Sequence, residues 1–213
     1  MQINVLLKPF AGDTYIEKSF LKFKKKMKIV NAIETGTNMG STFAWLYNNF
    51  DRVYTCESDE GYYQGACKRI FSVNSKYKMD HYPSQIVNPP DMGEMIIANS
   101  DSVSFLKMIG PQLSGESIFF LDAHWYDDCP LYNELLTIAD LGLSPAVIAI
   151  HDFKTDHPDE LGYDTYGGQS FDLAWITPAV NQIYGSNWTY EYNKPETSAG
   201  AKRGIIYIKR ASK

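Results

Sequence analysis

The sequence predicts an α/β protein, a doubly wound and mostly parallel sheet of seven strands closed by a C-terminal antiparallel hairpin. Two observations predict it. Short apolar runs alternate with segments of helical periodicity from residue 29 to about residue 184, the pattern of strands joined by crossover helices. After that the chain changes character. "NWTYEYN" and "RGIIYIKR" alternate in the strand manner and are joined by a turn-rich segment with Pro195 and Gly200, too short for a crossover helix.

The elements follow in order. Thr14–Lys28 reads as a helix whose Lys22, Lys24, Lys25, Lys26 and Lys28 form a solvated face, with Phe20, Leu21 and Phe23 among its apolar positions. The first strand is Val30–Glu34, followed by a helix beginning near Gly40. The second is Arg52–Ser58, followed by a helix near Tyr62–Phe71. Ser72–Glu94 carries Pro83, Pro89 and Pro90 and reads mostly as loop. "MIIANSDSVSFLKMI" gives a strand, a polar turn and a helix. "ESIFFLDAHW" is a buried strand ending in polar residues, and "CPLYNELLTIADL" is a helix with Leu131, Leu135 and Ile138 on one side. "PAVIAIHDF" is the fifth strand, Lys154–Ser170 a long polar loop, and "FDLAWITPAVNQIY" a helix despite Pro178. There is no internal repeat or linker, so residues 1–213 read as one domain: an N-terminal extension and helix (1–28) and a core (29–213).

Composition narrows the function. With 44% hydrophobic and 21% charged residues the chain is an ordinary globular one. A net charge of −5 and a pI near 5.4 argue against a general nucleic-acid binder. Cys56, Cys67 and Cys129 show no CxxC spacing and are odd in number, as in a reduced cytoplasmic protein. The start lacks the features of a secretory signal, and no run approaches the ~18 apolar residues of a membrane span. The expectation is a soluble cytoplasmic protein with a small-molecule partner and no nucleic-acid or membrane partner; a homodimer is left open.

The turn after the first strand is the most informative stretch. In "ETGTNMG", Gly36 and Gly40 permit close backbone approach, and the helix that follows aims free N–H groups into the turn. Glu57 ends the second strand 21 residues after Gly36 (57 − 36 = 21), where an acid can accept from both ribose hydroxyls. A nucleoside-bearing ligand is therefore expected. The dinucleotide fingerprint would place glycines at 36, 38 and 41, and this chain has Gly36, Asn38 and Ser41. The P-loop motif is also missing.

"ETGTNMG" resembles the first motif of the class I S-adenosylmethionine (SAM)-dependent methyltransferases, with Glu34, Gly36 and Gly40 in place and Asn38 for the middle glycine. Asparagine tolerates left-handed backbone better than most residues. The resemblance implies a Rossmann-like core over roughly residues 28–210, with Glu34 near the methionine amino group and Glu57 on the ribose. It implies that Asp101 and Ser102 of "NSDSV" lie near the adenine, and that Thr37, Ser41, Ser58 and Asp122 complete the cofactor site. The terminal hairpin resembles the family's reversed seventh strand. "LDAHW", "CPLYNEL" and "IHDF" further resemble bacterial and phage methyltransferase-domain proteins related to sugar- and natural-product-modifying O-methyltransferases.

Catalytic groups are expected at the carboxyl ends of the central strands. There lie Asp122 and His124 after the fourth strand, and His151 and Asp152 after the fifth. Polar groups directly after apolar strands need partners, so a structural network competes with two functional readings. In one, His124 or His151 is a general base on a hydroxyl. In the other, Asp122 and Asp152 bind Mg²⁺, as related metal-using O-methyltransferases do with acids at these positions. His151 stands where one of those oxygen ligands would be, which suits a softer ion better. Asp127, Asp128 and Glu134 read as acids at a helix start, the Asp156–Ser170 loop with Tyr163 and Tyr166 as a substrate lid, and Trp125 and Trp175 as acceptor-pocket candidates. The expected activity is SAM-dependent O-methylation of a small polar acceptor such as a sugar or sugar nucleotide. An NAD-dependent oxidoreductase and a non-catalytic adenosyl-binding module are the alternatives.

Overall fold

The computed structural model describes residues 8–72, 79–87, 94–124 and 129–211. Helix α1 (Thr14–Met27) precedes β1 (Asn31–Thr35), α2 (Ser41–Asn49), β2 (Arg52–Glu57), α3 (Glu60–Phe71), β3 (Gln85–Val87), β4 (Glu94–Asn99) and α4 (Ser102–Ile109). Then follow β5 (Ser117–Leu121), α5 (Leu131–Asp140), β6 (Val147–His151), the short β7 (Thr165–Tyr166) and β8 (Gln169–Ser170), α6 (Leu173–Tyr184), β9 (Trp188–Tyr192) and β10 (Ile205–Arg210).

The main sheet has the order β3-β4-β2-β1-β5-β6-β10-β9. The five central strands from β4 to β6 are parallel, and β10 is antiparallel to both β6 and β9. The sheet therefore has eight strands where seven were expected. The addition is β3, which pairs antiparallel with β4 at the sheet edge inside the segment read as loop. Three residues between prolines are too few to show alternation, so its pairing with β4 decides the conformation. The segment read as a continuous loop from Lys154 to Ser170 also contains the β7–β8 hairpin.

Both faces of the sheet are covered, which explains the continuous apolar strands. Alternate side chains go to opposite layers: in β5, Ile118 and Phe120 join one core with Phe20, Phe23, Phe43 and Ile70, while Phe119 and Leu121 join the other with Phe105, Leu135, Ile176 and Val180. The first core thus lies under α1, α2 and α3, and the second under α4, α5 and α6. Helix α1 is fixed at its start by Asp13. One carboxylate oxygen accepts from the backbone N–H groups of Tyr15 and Ile16, and the other from Ser198 Oγ (2.9 Å) and Ala199 N–H (3.1 Å). The N-terminal segment is thereby tied to the loop between β9 and β10.

The chain runs outward from β1 to β2 and β4, then returns to β5 on the other side of β1. The crevice between β1 and β5 is the switch point, and ligands of open α/β sheets lie outside the carboxyl ends of the strands there. Because β10 runs the other way, the residues before it reach this same end of the sheet. No helix among the described residues is long and apolar enough to cross a membrane.

Candidate active site

The turn after β1 is bound to the neighbouring strand, with Gly36 N–H and Thr37 N–H both donating to the Cys56 carbonyl (3.1 and 2.9 Å). Gly36 has φ +85°, and a Cβ there would lie 2.4 Å from the Asp122 carbonyl oxygen. The loops after β1 and β5 touch at this point, so only glycine fits. Asn38 takes the left-handed φ of +49°. Gly40 also has positive φ (+77°), and a Cβ on it would meet Ile70 Cδ1 at 3.1 Å and Ala66 Cβ at 3.3 Å, so its bareness serves the packing of α2 on α3.

A cavity of about 500 Å³ opens at the switch point. Of the expected cofactor residues, Gly36, Asn38, Glu57, Ser58, Asp101, Ser102 and Asp122 line it; Glu34, Thr37, Gly40 and Ser41 do not. Glu57 is held in place at this cavity, its carboxylate accepting from Asn38 N–H (2.7 Å) and Asp59 N–H (3.0 Å). Each oxygen keeps a further acceptor position. Asp101 caps α4 by accepting from Ser104 N–H at 2.8 Å, and that bond holds its carboxyl below the usual range. Ser102 is buried.

Glu34 lies beneath the turn, accepting from Thr55 Oγ1 (2.8 Å), which is 2.6 Å from Thr37 Oγ1. Burial pushes Glu34 well above the ordinary carboxylate range. Glu134 is a second buried acid. It belongs to the first turn of α5 but points inward, and burial raises it to about 6. Asp127, Asp128 and Trp125 lie outside the described residues.

The other end of the cavity is a network of two histidines, three aspartates and one arginine. His124 Nε2 is 2.9 Å from Asp152 Oδ2 and 3.7 Å from both Asp122 Oδ1 and Asp164 Oδ2. His151 Nδ1 is 3.2 Å from Asp122 Oδ1 and 3.3 Å from Asp152 Oδ2. Arg203 donates through Nε to Asp152 Oδ1 and through a terminal nitrogen to Asp164 Oδ1. Burial opposes the positive charge on both histidines, but the aspartates outweigh it. His124 is raised by its bond to Asp152 and by the surrounding carboxylates, and His151 well above its usual value chiefly by Asp122. Burial likewise opposes the charge on Asp152, yet the two histidines and Arg203 hold it far below the carboxylate range.

Local structure fixes this network. Asp152 has the left-handed φ of +54°, and its carbonyl accepts from Asp164 N–H at 2.9 Å. Gly162 lies against Arg203, where a Cβ would come within 2.8 Å of the guanidinium. The imidazole of His124 meets Phe171 edge-on (4.8 Å between centroids, 88°), and Phe171 is stacked between Tyr166 and Trp175. Tyr166 and Trp175 thus support the histidine from behind; neither lines the cavity. Tyr163 packs under the Lys154 ammonium (5.3 Å).

The sequence reading missed Asp164 and Arg203. The signal for Arg203 was available: a charged residue directly before a strand read as antiparallel must lie at the carboxyl end of its parallel neighbours. Asp164 carried none, because its position depends on the fold of a 17-residue loop (Lys154–Ser170).

Magnesium does not fit these residues. It takes oxygen ligands in a near-octahedral shell. Among the described residues the one group with metal-ligand proximity is Asp122, His124 and Asp152, whose donor atoms lie within 4.8 Å of one another. One of the three donors is nitrogen, and Asp152 already has one oxygen on Arg203 and the other facing both histidines.

An eight-stranded sheet with a reversed C-terminal pair and a switch-point cavity is the fold of the class I SAM-dependent methyltransferases. Among solved structures, the chain is similar to an O-methyltransferase from Bacillus cereus in complex with SAH (16% identity, TM-score 0.57, covering 95% of this chain and 84% of that one). It is also similar to the O-methyltransferase TomG from Streptomyces achromogenes, involved in tomaymycin synthesis, in complex with SAM (15%, 0.53, 92% and 79%). A third is an rRNA methylase from Streptococcus thermophilus (11%, 0.53, 98% and 100%). No protein-family model matches the chain, and no curated protein matches it in sequence.

Proposed function

We propose that the protein is a SAM-dependent methyltransferase that methylates oxygen on a small polar acceptor such as a sugar. One observation carries this reading: a single cavity joins a ribose-type acceptor, Glu57, to the paired histidines and aspartates at the ends of β5 and β6. Neighbouring strands lie about 4.8 Å apart, and β2 and β6 are separated by β1 and β5. The two ends are thus roughly 14 Å apart along the sheet, room for an adenosyl group at one and an acceptor at the other.

Bound SAM would supply an electrophilic methyl group and leave as SAH, its sulfur–methyl bond breaking as the acceptor oxygen takes the methyl. The chain's own residues have three tasks. Glu57 accepts from the ribose hydroxyls while its bonds to Asn38 and Asp59 hold it in place. Asp122, which lines the cavity and faces His151 through one oxygen only, orients the acceptor hydroxyl, while Asp152 holds the two histidines. His124 or His151, when neutral, takes the hydroxyl proton as the oxygen–carbon bond forms, and Asp152 or Asp122 then stabilises the imidazolium. Arg203 is already engaged by Asp152 and Asp164, which leaves it less available to a phosphate and supports a small neutral acceptor over RNA.

Calorimetry with SAH followed by turnover of SAM against a panel of sugars, sugar nucleotides and phenols tests the proposal. SAH binding with SAM turnover on a hydroxyl acceptor is expected. A folded protein that binds NAD and gives no heat with SAH would replace this reading with the oxidoreductase one, and SAH binding without turnover on any acceptor would favour a binding module.

A further inference from the structure

The disagreement between the donor set and magnesium has a positive side. We infer that Arg203 is the permanent cation of this acceptor site, a positioning residue whose guanidinium clamps Asp152 and Asp164 where a divalent ion would otherwise bridge carboxylates. The clamp is built and not incidental. A guanidinium presents N–H groups in a fixed fork, so one side chain can bind two carboxylates in a set geometry, which an ammonium cannot do.

Four features of the chain serve that fork. Arg203 is delivered by the reversed strand β10, whose amino end alone lies beside the carboxyl end of β6. Gly162 leaves the space that the guanidinium fills. The backbone around it is stitched by Gly162 N–H to the Lys202 carbonyl (3.0 Å) and Gly204 N–H to the Gly162 carbonyl (2.8 Å). Asp152 adopts left-handed backbone, and its carbonyl accepts from Asp164 N–H, which brings the two carboxylates to one guanidinium. With Arg203 in place, Asp152 has its second oxygen left for His124 and His151. The clamp therefore fixes the acid that faces both candidate bases. It concerns the acceptor end of the proposed methyltransferase, but the charge arrangement does not depend on methyl transfer.

The test is a titration of the full chain with Mn²⁺ alone, followed by calorimetry and electron paramagnetic resonance at pH 7.5. The parent is expected to bind Mn²⁺ no more tightly than about 1 mM. Arg203→Met, which frees two carboxylates beside Asp122, is expected to bind at least about tenfold more tightly. Arg203→Lys, which keeps the charge and loses the fork, is expected to fall between. Stoichiometric micromolar binding by the parent overturns the inference, and so does a folded Arg203→Met with no gain. If circular dichroism shows Arg203→Met unfolded, Arg203→Lys and the parent decide, and a lysine variant indistinguishable from the parent counts against the fork. No outcome requires SAM, so failure here is separate from failure of the methyltransferase reading, which SAH binding decides.

Discussion

Asp152 links the two candidate bases to Arg203: one carboxylate oxygen accepts from the Arg203 guanidinium while the other lies 2.9 Å from His124 Nε2 and 3.3 Å from His151 Nδ1. A change at Asp152 should therefore be felt at the histidines before it is felt at the cofactor end, where Glu57 and Asp101 are held by their own backbone bonds. This separation makes the two ends testable one at a time.

At the cofactor end, SAH is expected to bind with a dissociation constant on the order of micromolar, about −8 kcal/mol. Glu57→Ala removes a charged acceptor and should cost about 1.5–3 kcal/mol of that affinity. It also releases Asn38 N–H, so Glu57→Gln, which can still accept, should lose less. Calorimetry on the three proteins checks this; equal affinities would mean that Glu57 does not hold the ribose.

The two glycines of the first turn should behave differently. Gly36→Ala forces a side chain to within 2.4 Å of the Asp122 carbonyl from a left-handed backbone, so it should lower stability and weaken SAH binding strongly. Gly40→Ala meets side-chain carbons of Ile70 and Ala66 at 3.1 and 3.3 Å, and it too starts from positive φ. Its cost, about 1–2 kcal/mol, should appear in denaturant unfolding with SAH affinity nearly intact. Loss of SAH binding by a folded Gly40→Ala would restore it to the ligand site.

Much of this was legible in the sequence because burial on both sides makes a strand a continuous apolar run, and β4, β5 and β6 have that form. The strand-end rule then indicated Asp122, His124, His151 and Asp152, since ligand crevices form where such runs stop. What escaped depends on partners distant in sequence. β3 is a strand only because β4 lies beside it, and Asp164 reaches the site only through the fold of its loop. Glu134 escaped for a different reason. It lies at i+3 from Leu131 and beside Leu135 on the same helical stripe, so its burial was written in the periodicity, but acids near a helix start are ordinarily solvent-facing.

That burial gives a pH prediction. Glu134 has a folded pKa of about 6 against an ordinary 4.5. A carboxyl raised on folding imposes no penalty below pH 4.5, a growing one as pH rises through 4.5 to about 6, and a constant one above. The full penalty is about 2 kcal/mol, at 1.36 kcal/mol per unit. Glu134→Gln should therefore gain up to about 2 kcal/mol in urea unfolding at pH 8 and almost nothing at pH 4. A gain equal at both pH values would show that the effect is not ionisation.

The last prediction concerns the bases. His124 and His151 are raised by their aspartates, so both are cationic at pH 6.5 and become able to accept a proton only at higher pH. Turnover should rise with pH on a limb lying above 6.5, and a chelator should leave it unchanged. In stability the same shift acts in the opposite sense: the stabilisation from the charged histidines is complete below 6.5 and is lost as pH climbs through their folded values. Asp152→Asn removes the carboxylate that His124 faces at 2.9 Å and His151 at 3.3 Å. It should move the limb down towards 6.5, lower kcat, and leave SAH affinity within about twofold. Asp122→Asn should act mainly through His151, whose nearest carboxylate it removes. If no acceptor has been found, histidine ring resonances followed by NMR give the same titrations directly. Unmoved histidine titrations in both variants would make the cluster a structural network and place the acceptor chemistry elsewhere in the cavity.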